Sequence, residues 1–452
     1  MSNEPHSPDP FLDKLRAALA GLAPVADAAP RWAVAFSGGV DSTVLLTALC
    51  RLGTQSRLAA LHVDHGTQAD SRAWADHCRS VAAALGIDYR TRRVSIDERL
   101  GLGYEAAARQ ARYAALSELL APGEVLLTAH HADDQLETLL LRLLRGAGVT
   151  GLTAIAALRF MNGVRLGRPL LGFSRAQILA QAEHWGLDWL EDPGNADLSH
   201  DRNFLRAEVV PRLTGRWPAA RRTTGRFARH MREADRLLAV LAALDLGHEA
   251  HAASIDRGPL RVLDADRQRN ALRFAIRERG LPVPSANQLE ELRRSLSVTR
   301  PDARTVVTWP GAEARVYRDR LYLLTPLEPI RPTHANARLA PGEPWTGAQG
   351  RLVLAPGAGQ GLPDTWVRAG LEVRFRRGGE RFKPLHRGHS RPLKQLFQEA
   401  GIVPWMRSRI PLIYRDDMIA AVGDLWVNDA ARSGSARGEY WQVSWTDHPP
   451  IH

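Results

Sequence analysis

Four times within the first 145 residues, a strand-like run, the first of them apolar, is followed by a longer amphipathic stretch, and no other feature restricts the fold as strongly. The runs cover 31–36, 57–63, 89–96 and 124–128, and the amphipathic stretches 42–52, 69–85, 104–120 and 133–145. Strands alternating with helices in this way predict a parallel sheet with helices on both faces. A helix at 11–22 precedes the unit. A further strand (164–171), a helix (174–185), a loop and a helix at 203–213 complete it, and it closes near residue 216. In such sheets ligands bind outside the carboxyl ends of the strands, so each strand-to-helix junction is a place to look for chemistry.

The first junction reads Ser37, Gly38, Gly39, Val40, Asp41, Ser42. Free backbone N–H groups at the start of the following helix favour an anion. Gly38 and Gly39 allow phosphate to approach the backbone, and Ser37 and Ser42 add hydroxyl donors. Asp41 repels phosphate unless a cation lies between them, a conflict that Mg²⁺ bridging Asp41 and pyrophosphate oxygens resolves. No lysine follows the last glycine, and the spacing is not G-x-G-x-x-G, so neither the usual mononucleotide loop nor the dinucleotide loop fits. A tight turn with a good N-cap accounts for one glycine and one serine of the string, not for all six residues.

The second junction places His62, Asp64, His65 and Gly66 at a strand end. On the third helix Glu105, Arg109 and Arg112 fall at i, i+4 and i+7 and share a face. Spacing alone suits a solvated, salt-bridged surface. Turned into the cleft, an arginine there can stabilise charge on an α-phosphate. The fourth junction carries His130, His131, Asp133, Asp134 and Glu137. Asp133 or Asp134 can cap the helix, whereas Asp134 and Glu137 at i, i+3 present two carboxylates suited to a metal or a substrate ammonium. A zinc site with His130 and His131 lacks a further ligand cluster, and ATP chemistry favours magnesium.

A chain of 452 residues needs two or three domains. Beyond the α/β unit (1–216), residues 217–330 read as a small, mostly helical α+β domain, 331–364 as a Pro/Gly/Ala-rich linker with a strand conceivable at 351–354, and 365–452 as a carboxyl-terminal α+β domain. The net charge of +11 is almost wholly arginine, since the only lysines are Lys14, Lys383 and Lys394. Arginine forks suit phosphates and a basic surface suits nucleic acid, although a genomic arginine bias explains the same composition. Arg221, Arg222, Arg226, Arg229 and Arg232 form a helical stripe. Arg374, Arg376, Arg377, Arg381, Lys383, Arg387, Arg391 and Lys394 surround Phe382, Trp405 and Trp426. Cys50 and Cys78 make neither a disulfide framework nor a zinc site. No run reaches the roughly 18 apolar residues of a membrane span and the start lacks a signal pattern, so no membrane association and a cytoplasmic location are expected.

The loop at 37–42 is similar to the S-G-G-x-D-S signature of the PP-loop ATP pyrophosphatases, which implies a Rossmann-like fold that splits ATP between its α- and β-phosphates and adenylates a substrate. That superfamily includes GMP, asparagine and NAD synthetases, tRNA thiolation enzymes and tRNA(Ile)-lysidine synthetase. The pattern H-H-x-D-D-Q-x-E-T at 130–138, followed by L-x-R-G-x-G-x-x-G-L at 143–152, resembles the last of these. Arg168-Pro169-Leu170, the run from Trp189 to Asn195, and Arg202-Asn203-Phe204-Leu205-Arg206 continue the match. It is strong over 31–215, weaker in the middle, and returns from Phe375 to Gly423 as in long-form members. Gly194 replaces a usual serine and Thr67 a usual leucine; neither change removes a proposed chemical group.

The resemblance implies a two-step ligase. The wobble cytidine of an isoleucine tRNA with a CAU anticodon is adenylated at its C2 oxygen by ATP, and the ε-amine of free L-lysine then displaces AMP. In that reading the loop and Mg²⁺ at Asp41 hold pyrophosphate, and His62 lies on the adenosine side. Arg109 or Arg112 offsets α-phosphate charge. Asp134 and Glu137 receive the lysine ammonium, Arg206 stands near its carboxylate or the phosphates, and His130 is the general base. A homodimer is left open. The rivals are a PP-loop thiolase, which would use catalytic cysteines, a small-amide synthetase, which often needs a glutaminase, and a non-catalytic RNA-binding protein, which explains the charge but not the loop.

Overall fold

The computed structural model describes residues 9–23, 30–64, 71–94, 104–161, 163–297, 305–329, 337–357, 361–433 and 439–452. These fall into two compact units, Met1–Arg236 and Leu237–His452. None of the described helices is long and apolar enough to cross a membrane.

In the first unit the order is α1 (Pro10–Ala20), β1 (Arg31–Ala35), α2 (Val40–Arg51), β2 (Leu58–Asp64), α3 (Ser71–Ala84), β3 (Asp88–Arg93), α4 (Tyr104–Leu119), β4 (Glu124–Leu127), α5 (Ala132–Leu144), α6 (Val149–Leu152), β5 (Leu158–Met161), β6 (Val164–Gly167) and α7 (Arg175–His184). After these come α8 (Asp201–Phe204), a π-helical turn (Leu205–Val209) and α9 (Val210–Arg216), and then α10 (Ala220–Leu246), which begins in the first unit and ends in the second. The six strands form one sheet in the order β3-β2-β1-β4-β6-β5. All neighbours run parallel except β5, which pairs antiparallel with β6.

Successive strand side chains point to opposite faces, and this chain fills both with apolar groups. Trp32, Val34, Leu58, Ala60, Val125 and Leu127 pack on one side with α1, α2, α3 and α7. Ala33, Ala59, Leu61, Leu126 and Leu166 pack on the other with Tyr113 and Leu116 of α4. The chain steps outward from β1 to β2 and β3, then returns to place β4 on the other side of β1. The carboxyl ends of β1 and β4 therefore flank the crevice where ligands bind in folds of this kind.

The second unit holds a four-stranded antiparallel sheet (Ile255–Asp256, Val306–Trp309, Ala312–Tyr317 and Arg320–Leu324), which shares a core with the helices Ala265–Glu278 and Ser285-capped Ala286–Ser295. Its carboxyl-terminal part has a five-stranded and a four-stranded sheet around the helix Leu393–Glu399. The stretch 331–364, expected as a linker, carries strands at Ala337–Leu339, Trp345–Gly347, Gly350–Gly357 and Leu362–Pro363. The period-two pair Leu352 and Leu354 is buried in that core. Gly350 (φ 121°) leaves no room for a Cβ, which would meet the Thr446 carbonyl at 2.5 Å. The glycine that suggested looseness in sequence thus serves a close strand approach.

Candidate active site

A cavity of about 430 Å³ opens at the carboxyl ends of β1, β2 and β4. Phe36, Ser37, Gly39, Asp41 and Ser42 line one side, Leu61 to Asp64 and Trp74 a second, and Arg112, Tyr113, Thr128, His130 and Asp134 a third.

The loop is organised by its own hydroxyls. Ser42 Oγ accepts from Ser37 N (3.3 Å), lies 3.1 Å from Ser37 Oγ and donates to the Gly39 carbonyl (3.0 Å). Thr43 Oγ1 donates to the same carbonyl at 3.0 Å. The α2 N-cap is Gly39, which has no side chain to satisfy the first N–H groups, so they remain for an anion. Val40 is buried and Gly38 adopts φ 80°, which glycine alone takes without strain.

Asp41, in the first turn of α2, lines the cavity, and its Oδ1 is buried and, among the described residues, without a hydrogen-bond partner. Burial raises its pKa above the usual carboxylate range, against the opposing charges of His131, Arg175 and Arg206. A buried acceptor oxygen that prefers not to be bare is what a divalent cation would relieve, so the site fits Mg²⁺. Among the described residues, no group of three or more His, Cys, Asp and Glu side chains is arranged so that it could hold a metal ion by itself.

His62 is buried, its Nδ1 2.9 Å from the Phe36 carbonyl, and burial lowers its pKa. His130 Nδ1 pairs with Thr128 Oγ1 at 2.8 Å. Burial pushes its pKa far below 6.5, assisted by Arg168, Arg202 and Arg112 against the attraction of Asp134. The imidazole is held neutral, the form a base needs. His131 lies deeper, with Nε2 3.5 Å from Asp134 Oδ2 and 3.7 Å from Asp41 Oδ2.

The three residues expected to share a face of α4 divide. Arg112 lines the cavity and burial lowers its pKa, whereas Arg109 is exposed. Residues 109 and 112 are neighbours about 60° apart around the helix, so Arg109 sits at the solvent edge of the face whose other side meets the cavity. Both guanidiniums flank the Tyr113 ring, at 5.2 and 5.5 Å. The Glu105 side chain, and His65, Gly66 and Thr67, lie outside the described residues.

The acidic pair is also arranged differently from a simple ammonium trap. Glu137 is 0% exposed. Its oxygens accept from Arg202 Nε (2.8 Å), Arg206 Nε (2.8 Å) and Arg206 Nη2 (3.1 Å). Asp134 Oδ1 accepts from Arg202 Nη2 at 2.7 Å, and Oδ2 caps α5 by accepting from His131 N at 2.9 Å. Burial would raise the Asp134 pKa, but His131 and Arg202 overcome it and hold the carboxyl low. Of Asp134, Glu137 and Arg206, only Asp134 lines the cavity. The second guanidinium, Arg202, was missing from the sequence-based site. Its signal is present: Arg202 and Arg206 at i, i+4 form a ladder that matches the carboxylates at i, i+3.

Asp133 faces elsewhere, accepting from Arg175 N (2.9 Å) and from Arg221 Nε. Arg232 donates to the Thr153 carbonyl at 2.9 Å. Two members of the expected stripe on α10 are therefore turned inward, whereas Arg222, Arg226 and Arg229 are exposed, joined by Arg236. Cys50 and Cys78 are buried, and burial pushes their thiols up to about 11 and about 12, the reverse of a catalytic thiolate.

The PP-loop domain family matches residues 12–213, the TilS substrate binding domain residues 256–322 and the TilS substrate C-terminal domain residues 371–445. The chain is 43% identical to the tRNA(Ile)-lysidine synthase of Methylococcus capsulatus over 86% of its length and 90% of the relative's. It is 43% identical to that of Alkalilimnicola ehrlichii, covering 87% and 89%, and 41% identical to that of Pseudomonas aeruginosa, covering 96% and 97%. With this identity sustained across the PP-loop unit and both following domains, the chain belongs to the tRNA(Ile)-lysidine synthase family.

Proposed function

We propose that this chain uses ATP to adenylate the C2 oxygen of the wobble cytidine in an isoleucine tRNA with a CAU anticodon, and then joins free L-lysine to C2 through its ε-amine. The cytidine oxygen attacks the α-phosphate and pyrophosphate leaves. The amine then attacks C2, loses a proton, and AMP leaves with the former C2 oxygen, so that a C–O bond is exchanged for a C–N bond. The observation that carries this reading is the convergence of the loop N–H groups, Arg112, neutral His130 and Asp134 on one cavity.

In this account the first turn of α2 with Ser37 and Ser42 binds the pyrophosphate, and Asp41 would hold Mg²⁺, which when bound neutralises phosphate charge. His62 borders the adenosine. Arg112 faces the α-phosphate, while His130 accepts the proton released by the amine. Asp134 receives the lysine ammonium, and Glu137 fixes Arg202 and Arg206, whose remaining N–H groups suit the lysine carboxylate. Arg222, Arg226, Arg229 and Arg236, together with the basic carboxyl-terminal surface, bind tRNA phosphates in the cytoplasm.

Incubation of unmodified tRNA with ATP and labelled lysine tests this. Label should enter tRNA only when ATP is present, with AMP and pyrophosphate released in equal amounts. Label-free tRNA despite AMP release would overturn the lysine step.

A further inference from the structure

The phosphate loop is gripped by two bonds to its backbone. Trp74 Nε1 on α3 donates to the Ser37 carbonyl at 2.5 Å, and Leu190 N donates to the Gly38 carbonyl at 2.9 Å. In a planar trans peptide the carbonyl and the following N–H point in opposite directions. Holding the Ser37 carbonyl therefore aims the Gly38 N–H, while the Gly39 N–H, set by the Gly38 carbonyl, donates to Ser37 Oγ at 3.4 Å. The fit is close, since a Cβ on Gly38 would lie 3.0 Å from Cys78 Sγ and 3.1 Å from Trp74 Nε1. The α3 face formed by Trp74 and Cys78 thus rests directly on the bare Cα of the loop.

We propose that Trp74 is a positioning residue for ATP cleavage: its indole N–H sets the Ser37–Gly38 peptide so that the Gly38 N–H is presented to the β- and γ-phosphates. The proposal rests on the reading of the loop as the pyrophosphate cradle. Trp74 also lines the cavity, and an aromatic wall for the adenosine would be a different role with a different signature.

The test is binding of pyrophosphate with Mg²⁺, and separately of AMP, to the full chain and to Trp74→Phe, which keeps a ring and loses the donor. Pyrophosphate should bind about 5- to 10-fold more weakly, as expected for one lost hydrogen bond, with AMP binding unchanged. Trp74→Gln, which restores an N–H donor at similar reach without the ring, should recover most of the loss. Equal weakening of both ligands, or unaltered pyrophosphate binding, would overturn the proposal. Wild-type chain that binds AMP but not pyrophosphate would sink the cradle reading and this one together. If Trp74→Phe does not fold, Trp74→Gln against Trp74→Leu gives the same comparison.

Discussion

Arg109 and Arg112 lie one turn apart on the same helix and are expected to behave as different residues. Arg112 is desolvated against the cavity, where a preformed positive charge stabilises a developing phosphate charge. Arg112→Gln should lower kcat about 100-fold with little change in thermal stability. Arg109→Gln, on the exposed side, should stay within about threefold, a difference too small to count against a surface role. Steady-state rates with saturating ATP, lysine and tRNA decide this, and equal losses would return Arg109 to the site. His130 makes a pH-dependent prediction. Its folded pKa is depressed by burial, so the unfolded chain binds the extra proton first as pH falls below 6.5. The stability this neutral histidine contributes is complete above its unfolded pKa and declines on acidification toward the folded one. Between about pH 7 and pH 5, unfolding free energy should fall by about 2 kcal/mol more in wild type than in His130→Asn. Identical slopes in chemical denaturation would show that the imidazole is not held neutral.

The junction of α5 with the π-helical turn at Leu205–Val209 shows how an element creates a site that single residues do not. Asp134 and Glu137 leave α5 on one face, and Arg202 and Arg206 meet them from α8 and the π turn with four N–H groups. Removing the buried carboxylate strands two guanidiniums. Glu137→Gln should therefore destabilise the first unit by about 2–3 kcal/mol, less than a fully buried pair because both arginines are partly exposed. It should also raise the lysine KM more than the ATP KM; the reverse ranking would mean the arginines serve the phosphates instead. On α10, Arg222, Arg226, Arg229 and Arg236 are exposed, while Arg221 and Arg232 are engaged by Asp133 and Thr153. Each exposed arginine changed to glutamine should reduce the slope of log K against log salt for tRNA by about 1. Arg221→Gln should leave the slope unaltered.

At the scale of the molecule, the strands and helices of the first unit were legible because short strand-like runs alternate four times with longer amphipathic stretches, and the family resemblance followed from motifs at their junctions. The β5 edge strand was not legible: Leu158–Met161 is four residues long, with its middle two exposed, and leaves no alternating pattern to read. The strands within 331–364 were hidden by glycine and proline, whose role at close approaches appears only when Gly350 is seen against Thr446. Within the site, Asp41, His62, His130 and Asp134 stand at the strand-to-helix junctions that the sequence singles out and line the cavity, whereas spacing alone did not separate Arg112 from Arg109. The pairing that buries Glu137 and recruits Arg202 was not, because sequence spacing fixes a helix face but not what another helix brings to it. Trp74 had no sequence signal at all, since its bond to Ser37 joins residues 37 apart.

The central claim is that one cavity carries both adenylation and lysine transfer to a tRNA cytidine. Mass analysis of the wobble nucleoside after incubation of unmodified CAU-anticodon isoleucine tRNA with ATP and isotope-labelled lysine tests it most directly. The account predicts cytidine heavier by labelled lysine less water, formed only with ATP and lysine together. Unchanged cytidine, or a gain of sulfur in place of oxygen when a sulfur donor is supplied, would contradict it.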